Sequence, residues 1–144
     1  MYKRDESFYF IDIFIANNKI SRYISKFDNA QDLLWSELEW DATIRELEII
    51  GEATNTLIKQ NIIDNKKFRK IVDFRNLVIH GYFGIDENEV WEILQNKLDI
   101  FINDLKIIIK EKNINLTSAI NYAKSENSKN INIVHFLDNL TQKT

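Results

Sequence analysis

No proline interrupts these 144 residues and only three glycines do, so the chain lacks the usual breakers of regular structure and long helices are the expectation. Phe10, Ile13, Phe14, Ile20, Ile24 and Phe27 recur at helical spacing and predict a first helix from about Ser7 to Lys26. Asn29 opens a short helix towards Glu37 that either stands alone or runs into the next. Trp40, Ile44, Leu47, Gly51, Thr54 and Ile58 then line one face of a helix from about Glu39 to Asn61. Gly51 costs about 1 kcal/mol there relative to alanine, which close approach of another helix would offset.

Asp64-Asn65-Lys66-Lys67 reads as a turn. A third long helix is expected from Lys66 or Lys67 to His80, with Gly81 in the left-handed position just past its end. Asp86, with Glu89 three residues on, has the pattern of a capping box. It would open a fourth helix through Val90, Ile93, Leu94, Leu98, Phe101, Leu105 and Ile108. The expected fold is therefore all-α, an up-down four-helix bundle over residues 1–110. Past Lys110 the composition shifts towards Asn, Ser and Lys, and residues 111–144 read as a C-terminal appendage, with a helical turn or two between Ile131 and Leu140.

There is no cysteine, which removes disulfides, thiolate nucleophiles and Cys-type zinc sites. The apolar patch from Phe8 to Ala16 contains Asp12 and precedes no small-residue cleavage site, so it reads as the start of the fold and not as a signal peptide. No run approaches 18 uncharged apolar residues, so no membrane span is expected. Cytoplasmic location and no membrane partner follow as expectations.

The formal charge of −3 argues against a nucleic-acid binder that works by bulk charge. Its distribution is uneven. Residues 28–52 hold eight acids and one base, whereas residues 59–75 hold six bases and two acids. The basic stretch leads into Arg75-Asn76-Leu77-Val78-Ile79-His80-Gly81-Tyr82, which sets a permanent cation, an amide, an imidazole and a phenol inside an otherwise apolar run.

On an ideal helix Arg69, Asp73, Asn76 and His80 share one line, and Ile71, Phe74 and Val78 share the opposite one. Arg75 and His80 are five residues apart, so about 140° separates them around the axis. They converge only if the helix unwinds near Ile79-His80-Gly81, or if a second copy of the chain brings its own pair beside the first. Arginine offers a planar clamp for a phosphodiester, and histidine titrates near neutrality and can move a proton to or from a ribose hydroxyl. Asn76 can orient either group. A lone histidine without companion carboxylates is poor material for a metal site. The chemistry that fits, with no cofactor or metal, is attack of a 2′-hydroxyl on the adjacent phosphate, which restricts the substrate to RNA and excludes DNA.

The order Arg75-Asn76, His80 and Tyr82 resembles the signature of the HEPN superfamily in its HepT-like branch of bacterial toxins. Leu47-Glu48-Ile49-Ile50-Gly51-Glu52-Ala53 resembles that branch's second-helix motif, and Gly81-Tyr82-Phe83-Gly84-Ile85-Asp86 with Val90-Trp91 resembles the stretch after its histidine. The likeness covers roughly residues 8–110. It implies a homodimeric bundle with a composite ribonuclease site at the dimer interface, built from Arg75, Asn76 and His80. It also implies a minimal nucleotidyltransferase antitoxin as partner, which silences the toxin by attaching AMP to Tyr82.

Alternatives stay open on sequence alone. The rival to the ribonuclease reading is a non-catalytic helical subunit that docks on a nucleotidyltransferase. Trp35, Trp40 and Trp91 read as core or dimer anchors, Glu52 as structural, and His135 carries no assignment.

Overall fold

The structure is a computed structural model that describes residues 5–80 and 84–143, with only the backbone described for 77–80 and 142–143. Every regular element among them is helical: α1 (Glu6–Ile24), α2 (Ala30–Trp35), α3 (Glu37–Lys59), α4 (Asn65–His80), α5 (Glu87–Glu92), α6 (Leu98–Glu111), α7 (Thr117–Glu126) and α8 (Ile131–Lys143). The expectation of an all-α chain holds, and no described helix is long and apolar enough to cross a membrane.

Short acidic and amide side chains start these helices. Asp5 accepts from the backbone N–H of Ser7 at 2.8 Å, Asn29 from Asp32 at 2.9 Å and Asn115 from Thr117 at 2.9 Å. Asp86 caps α5 as expected, accepting from Asn88 N–H at 2.9 Å. Each bond satisfies an amide that the first helical turn leaves without a partner. The bond from Ser7 also holds the Asp5 carboxyl below its ordinary value. Asp64 caps the start of α4, accepting from the N–H groups of Lys66 and Lys67 at 3.4 and 3.3 Å, so the helix begins one or two residues before its expected start.

Asparagine also ends α3 and α6. Asn61 and Asn113 adopt φ of 61° and 53°. The next residue, Ile62 or Ile114, returns its N–H to the carbonyl of Leu57 or Ile109, at 3.0 and 2.9 Å. This is the Schellman arrangement, in which a left-handed residue closes the last turn and the following apolar side chain folds back. The second long helix therefore stops at Lys59, short of the expected Asn61.

Between α5 and α6 the backbone stays helical but widens. Over Ile93–Lys97 it makes a π turn, and the N–H of Leu98 reaches the Ile93 carbonyl five residues back. The extra residue turns the following face, so Ile102 and Ile109 are buried while Ile108 only packs against the edge of the core.

α3 lies between α1 and α4. Phe10, Ile13 and Phe14 of α1, Ile50 and Leu57 of α3 and Leu105 of α6 form the centre of a single apolar cluster. Phe68 of α4 meets Phe101 of α6 edge to face, with ring centroids 5.7 Å apart. The segment beyond 111 forms two helices, and both touch α1. Ala119, Ile120, Ile133 and Leu137 are buried in the same cluster. Trp40 and Trp91 pack against the core, but Trp35 is 78% exposed at the end of the two-turn α2.

Glu46 of α3 is buried. Burial raises Glu46 above its ordinary value, partly offset by the positive charges of Lys19 and Arg45. The folded chain thus binds this proton more tightly than the unfolded chain, and stability falls as pH rises above the ordinary value of 4.5. Replacing Glu46 by glutamine should raise the melting temperature by a few degrees at pH 7. The gain should vanish near pH 4, where both proteins are neutral at that position. Equal melting curves at both pH values would show that the side chain is solvated.

Candidate active site

The face that α4 turns to the core is set by Phe68 and Val72, which are fully buried, with Ile71 and Phe74 packed beside them. Arg75 falls seven residues after Phe68, so it stands within about 20° of it around the axis and belongs to the same inward face. The arginine of the octapeptide is therefore planted in the crossing of α3 and α4.

Gly51 of α3 makes that placement possible. A Cβ built at Gly51 would stand 2.2 Å from Arg75 Cβ, 2.6 Å from its Cγ and 3.5 Å from the Ile71 carbonyl oxygen. The compensation expected for a glycine inside a helix is thus found in a close approach, and the residue that approaches is Arg75. The stem lies against the α3 backbone, and Nε is sealed from solvent without a hydrogen-bond partner among the described residues. A buried donor left unpaired costs about 1–3 kcal/mol.

The polar stripe is also visible. Arg69 Nε donates to Asp73 at 3.2 Å across one turn, and Asn76 is half-buried further along. α4 remains α-helical through His80, so the backbone keeps positions 75 and 80 about 140° apart. The side chains of Val78 and His80 lie outside the described residues, as do Gly81, Tyr82 and Phe83. Gly84, just beyond, has φ of 142°, a conformation that favours glycine. Glu52, beside Gly51, is exposed.

Charge collects on the outer side of the first turns of α4. Lys67 pairs with Asp104 of α6 at 3.6 Å and Arg69 with Asp73. Lys66 and Lys70 are exposed and make no ion pair among the described residues. Nor does any group of three or more His, Cys, Asp or Glu side chains gather among the described residues.

Spacing did carry a signal for the inward position of Arg75. Phe68, Val72 and Arg75 follow the i, i+4, i+7 pattern of a packed face, but a cation in the last place reads as a surface residue until the facing glycine is known.

Residues 15–112 match the family model described as "Ribonuclease HepT-like". The chain belongs to the HepT-like family. The matched span runs from α1 through α6, includes Gly51 and the whole octapeptide, and ends before α7. Among curated relatives, the Methanocaldococcus jannaschii protein named "Putative RNase MJ1380" is 29% identical over 110 residues, which is 75% of this chain and all of that protein. A second from the same organism, "Putative RNase MJ0127", is 36% identical over 72 residues, 49% of this chain and 60% of the relative. The Thermococcus cleftensis protein named "Probable ribonuclease HepT" is 30% identical over 70 residues, 47% of this chain and 64% of the relative. No solved structure matches the chain.

Proposed function

We propose that this HepT-like chain is a metal-independent endoribonuclease, the toxin of a toxin–antitoxin pair, which works as a homodimer of bundles with Arg75, Asn76 and His80 at the shared interface. The observation that carries this reading is the placement of Arg75. The first carbons of its stem are anchored in the α3–α4 crossing, on a helix that continues unbroken to His80. Two residues about 140° apart on one straight helix serve a single phosphate only when a second copy contributes. The names of the relatives point to the same substrate class. The unpaired Lys66 and Lys70 offer charge to flanking phosphates.

In the reaction, a ribose 2′-oxygen attacks the adjacent phosphorus and forms the new P–O bond as the P–O5′ bond breaks. The His80 imidazole of one copy takes the 2′-hydroxyl proton, and the departing 5′-oxygen takes a proton from water. Arg75 holds the non-bridging oxygens while charge builds on them. The products are a 2′,3′-cyclic phosphate and a 5′-hydroxyl. Purified protein should therefore degrade RNA in excess EDTA and leave DNA intact. Cleavage that disappears with EDTA and returns with a divalent cation would refute the metal-independent reading.

Silencing rests on Tyr82, two residues past His80. The partner is a minimal nucleotidyltransferase that joins the phenol oxygen to the α-phosphorus of ATP and releases pyrophosphate, leaving AMP on Tyr82. Incubation with such a partner and ATP should add the mass of one AMP to the peptide bearing Tyr82 and abolish cleavage. Unmodified Tyr82 in a silenced complex would contradict this mode of control.

A further inference from the structure

The geometry points to Gly51 as a positioning residue for the phosphate clamp, a glycine on one helix that fixes the direction of the Arg75 guanidinium on another. The inference rests on the nuclease reading for what the clamp holds, but its geometry stands apart from that reading. Gly51 is buried in the middle of α3, where it weakens the helix and contributes no side chain to the core. What it does contribute is room: both Cβ and Cγ of Arg75 occupy the space a side chain would take.

The consequence is chemical. Arginine ordinarily loses its freedom when it binds, because a long stem must be ordered. Here the first two carbons of the stem are already held against backbone, and Nε is sealed. Neither terminal nitrogen is sealed and unpartnered in this way, so the open end of the guanidinium is the terminal pair, and that pair offers a phosphate two parallel donors. Ordering completed before the substrate arrives is not charged against binding or against the transition state.

Adding one methyl group at position 51 undoes this. Carbon atoms settle about 3.5–4 Å apart, so a methyl carbon 2.2 Å from Arg75 Cβ must push the helices apart by on the order of 1 Å. Cβ is fixed to the α4 backbone, so rotation of the side chain cannot relieve the contact. A displacement of about 1 Å in a catalytic group costs about 100-fold in rate.

The test has two readouts. In the wild-type protein, the Nε–H of Arg75, assigned by its absence from Arg75→Gly, should exchange with solvent at least about tenfold more slowly than that of the exposed Arg45. In Gly51→Ala that protection should be lost, and kcat/KM for RNA cleavage should fall about 100-fold at a temperature where circular dichroism shows the variant folded. Should Gly51→Ala fold poorly, Gly51→Ala/Arg75→Gly, in which the contact is relieved, should recover the helical signal of Arg75→Gly.

The proposal is overturned if Arg75 Nε exchanges as fast as Arg45 Nε in the wild type, or if folded Gly51→Ala cleaves RNA at the wild-type rate. A wild-type protein that protects Nε but leaves RNA intact would instead remove the nuclease reading and leave the positioning of the guanidinium standing.

Discussion

Replacing His80 by alanine should lower RNA cleavage by about three orders of magnitude, within the roughly 10²–10⁴ that a positioned proton-transfer group supplies, and Arg75→Ala should do comparable damage through the loss of charge stabilisation. The two losses differ in kind. Without His80 the 2′-oxygen must lose its proton to water, so the effect should fall on kcat and flatten the pH profile around neutrality. Without Arg75 the phosphate is held less well in both ground and transition states, so KM should rise while kcat falls. Arg75→Ala also removes part of the α3–α4 contact and leaves its Cβ facing Gly51. Its melting temperature is the control that separates lost chemistry from lost packing. Unchanged cleavage in both folded variants would end the assignment of these residues.

Leu137→Ala should destabilise the whole chain by about 2–5 kcal/mol, the usual range for emptying a fully buried leucine position. That corresponds to a fall in melting temperature on the order of 10 °C for a protein of this size. Leu137 is completely buried on α8, in line with Ile133 and Leu140 at i−4 and i+3, and the cluster that receives it also contains Phe10 and Phe14 of α1. Lys124 of α7 pairs with Asp138 beside it, but that exposed pair adds little. Urea unfolding followed by circular dichroism should show one transition moved to lower denaturant. If instead the last helices melt separately and the main transition stays in place, residues 117–143 contribute nothing to the core of α1 and α3.

How much could be seen in advance varied with the physics of each feature. Long helices were legible because proline is absent, and the Asp86 cap was legible because capping is local chemistry of a few neighbouring residues. Helix ends were harder. With so little glycine the chain uses Asn61 and Asn113 in the left-handed region, and asparagine is common enough in this sequence that none announces itself as a stop. The π turn over Ile93–Lys97 was hidden because Leu94, Leu98 and Phe101 satisfy ordinary helical spacing too, and only the inward turn of Ile102 and Ile109 reveals the extra residue. In α7 the buried positions are Ala119, Ile120 and Ala123, and alanines give almost no hydrophobic periodicity to read.

For the candidate site, residue types and spacing suggested the chemistry, and the need for compensation at Gly51 suggested a helix crossing. The identity of the residue at that crossing is tertiary information. It depends on which turn of α4 meets which turn of α3, and nothing within either helix records it.

The central claim is that Arg75 of one copy and His80 of another serve one phosphate, and mixing two inactive variants tests it most directly. Arg75→Ala and His80→Ala proteins, unfolded together and refolded as a mixture, should form mixed dimers for about half of the population, each with one intact arginine–histidine pair across the interface. Cleavage should return to about a quarter of the wild-type level, from two proteins that are each silent alone. A mixture that stays as inactive as its components, while native mass spectrometry shows that mixed dimers have formed, would contradict the account.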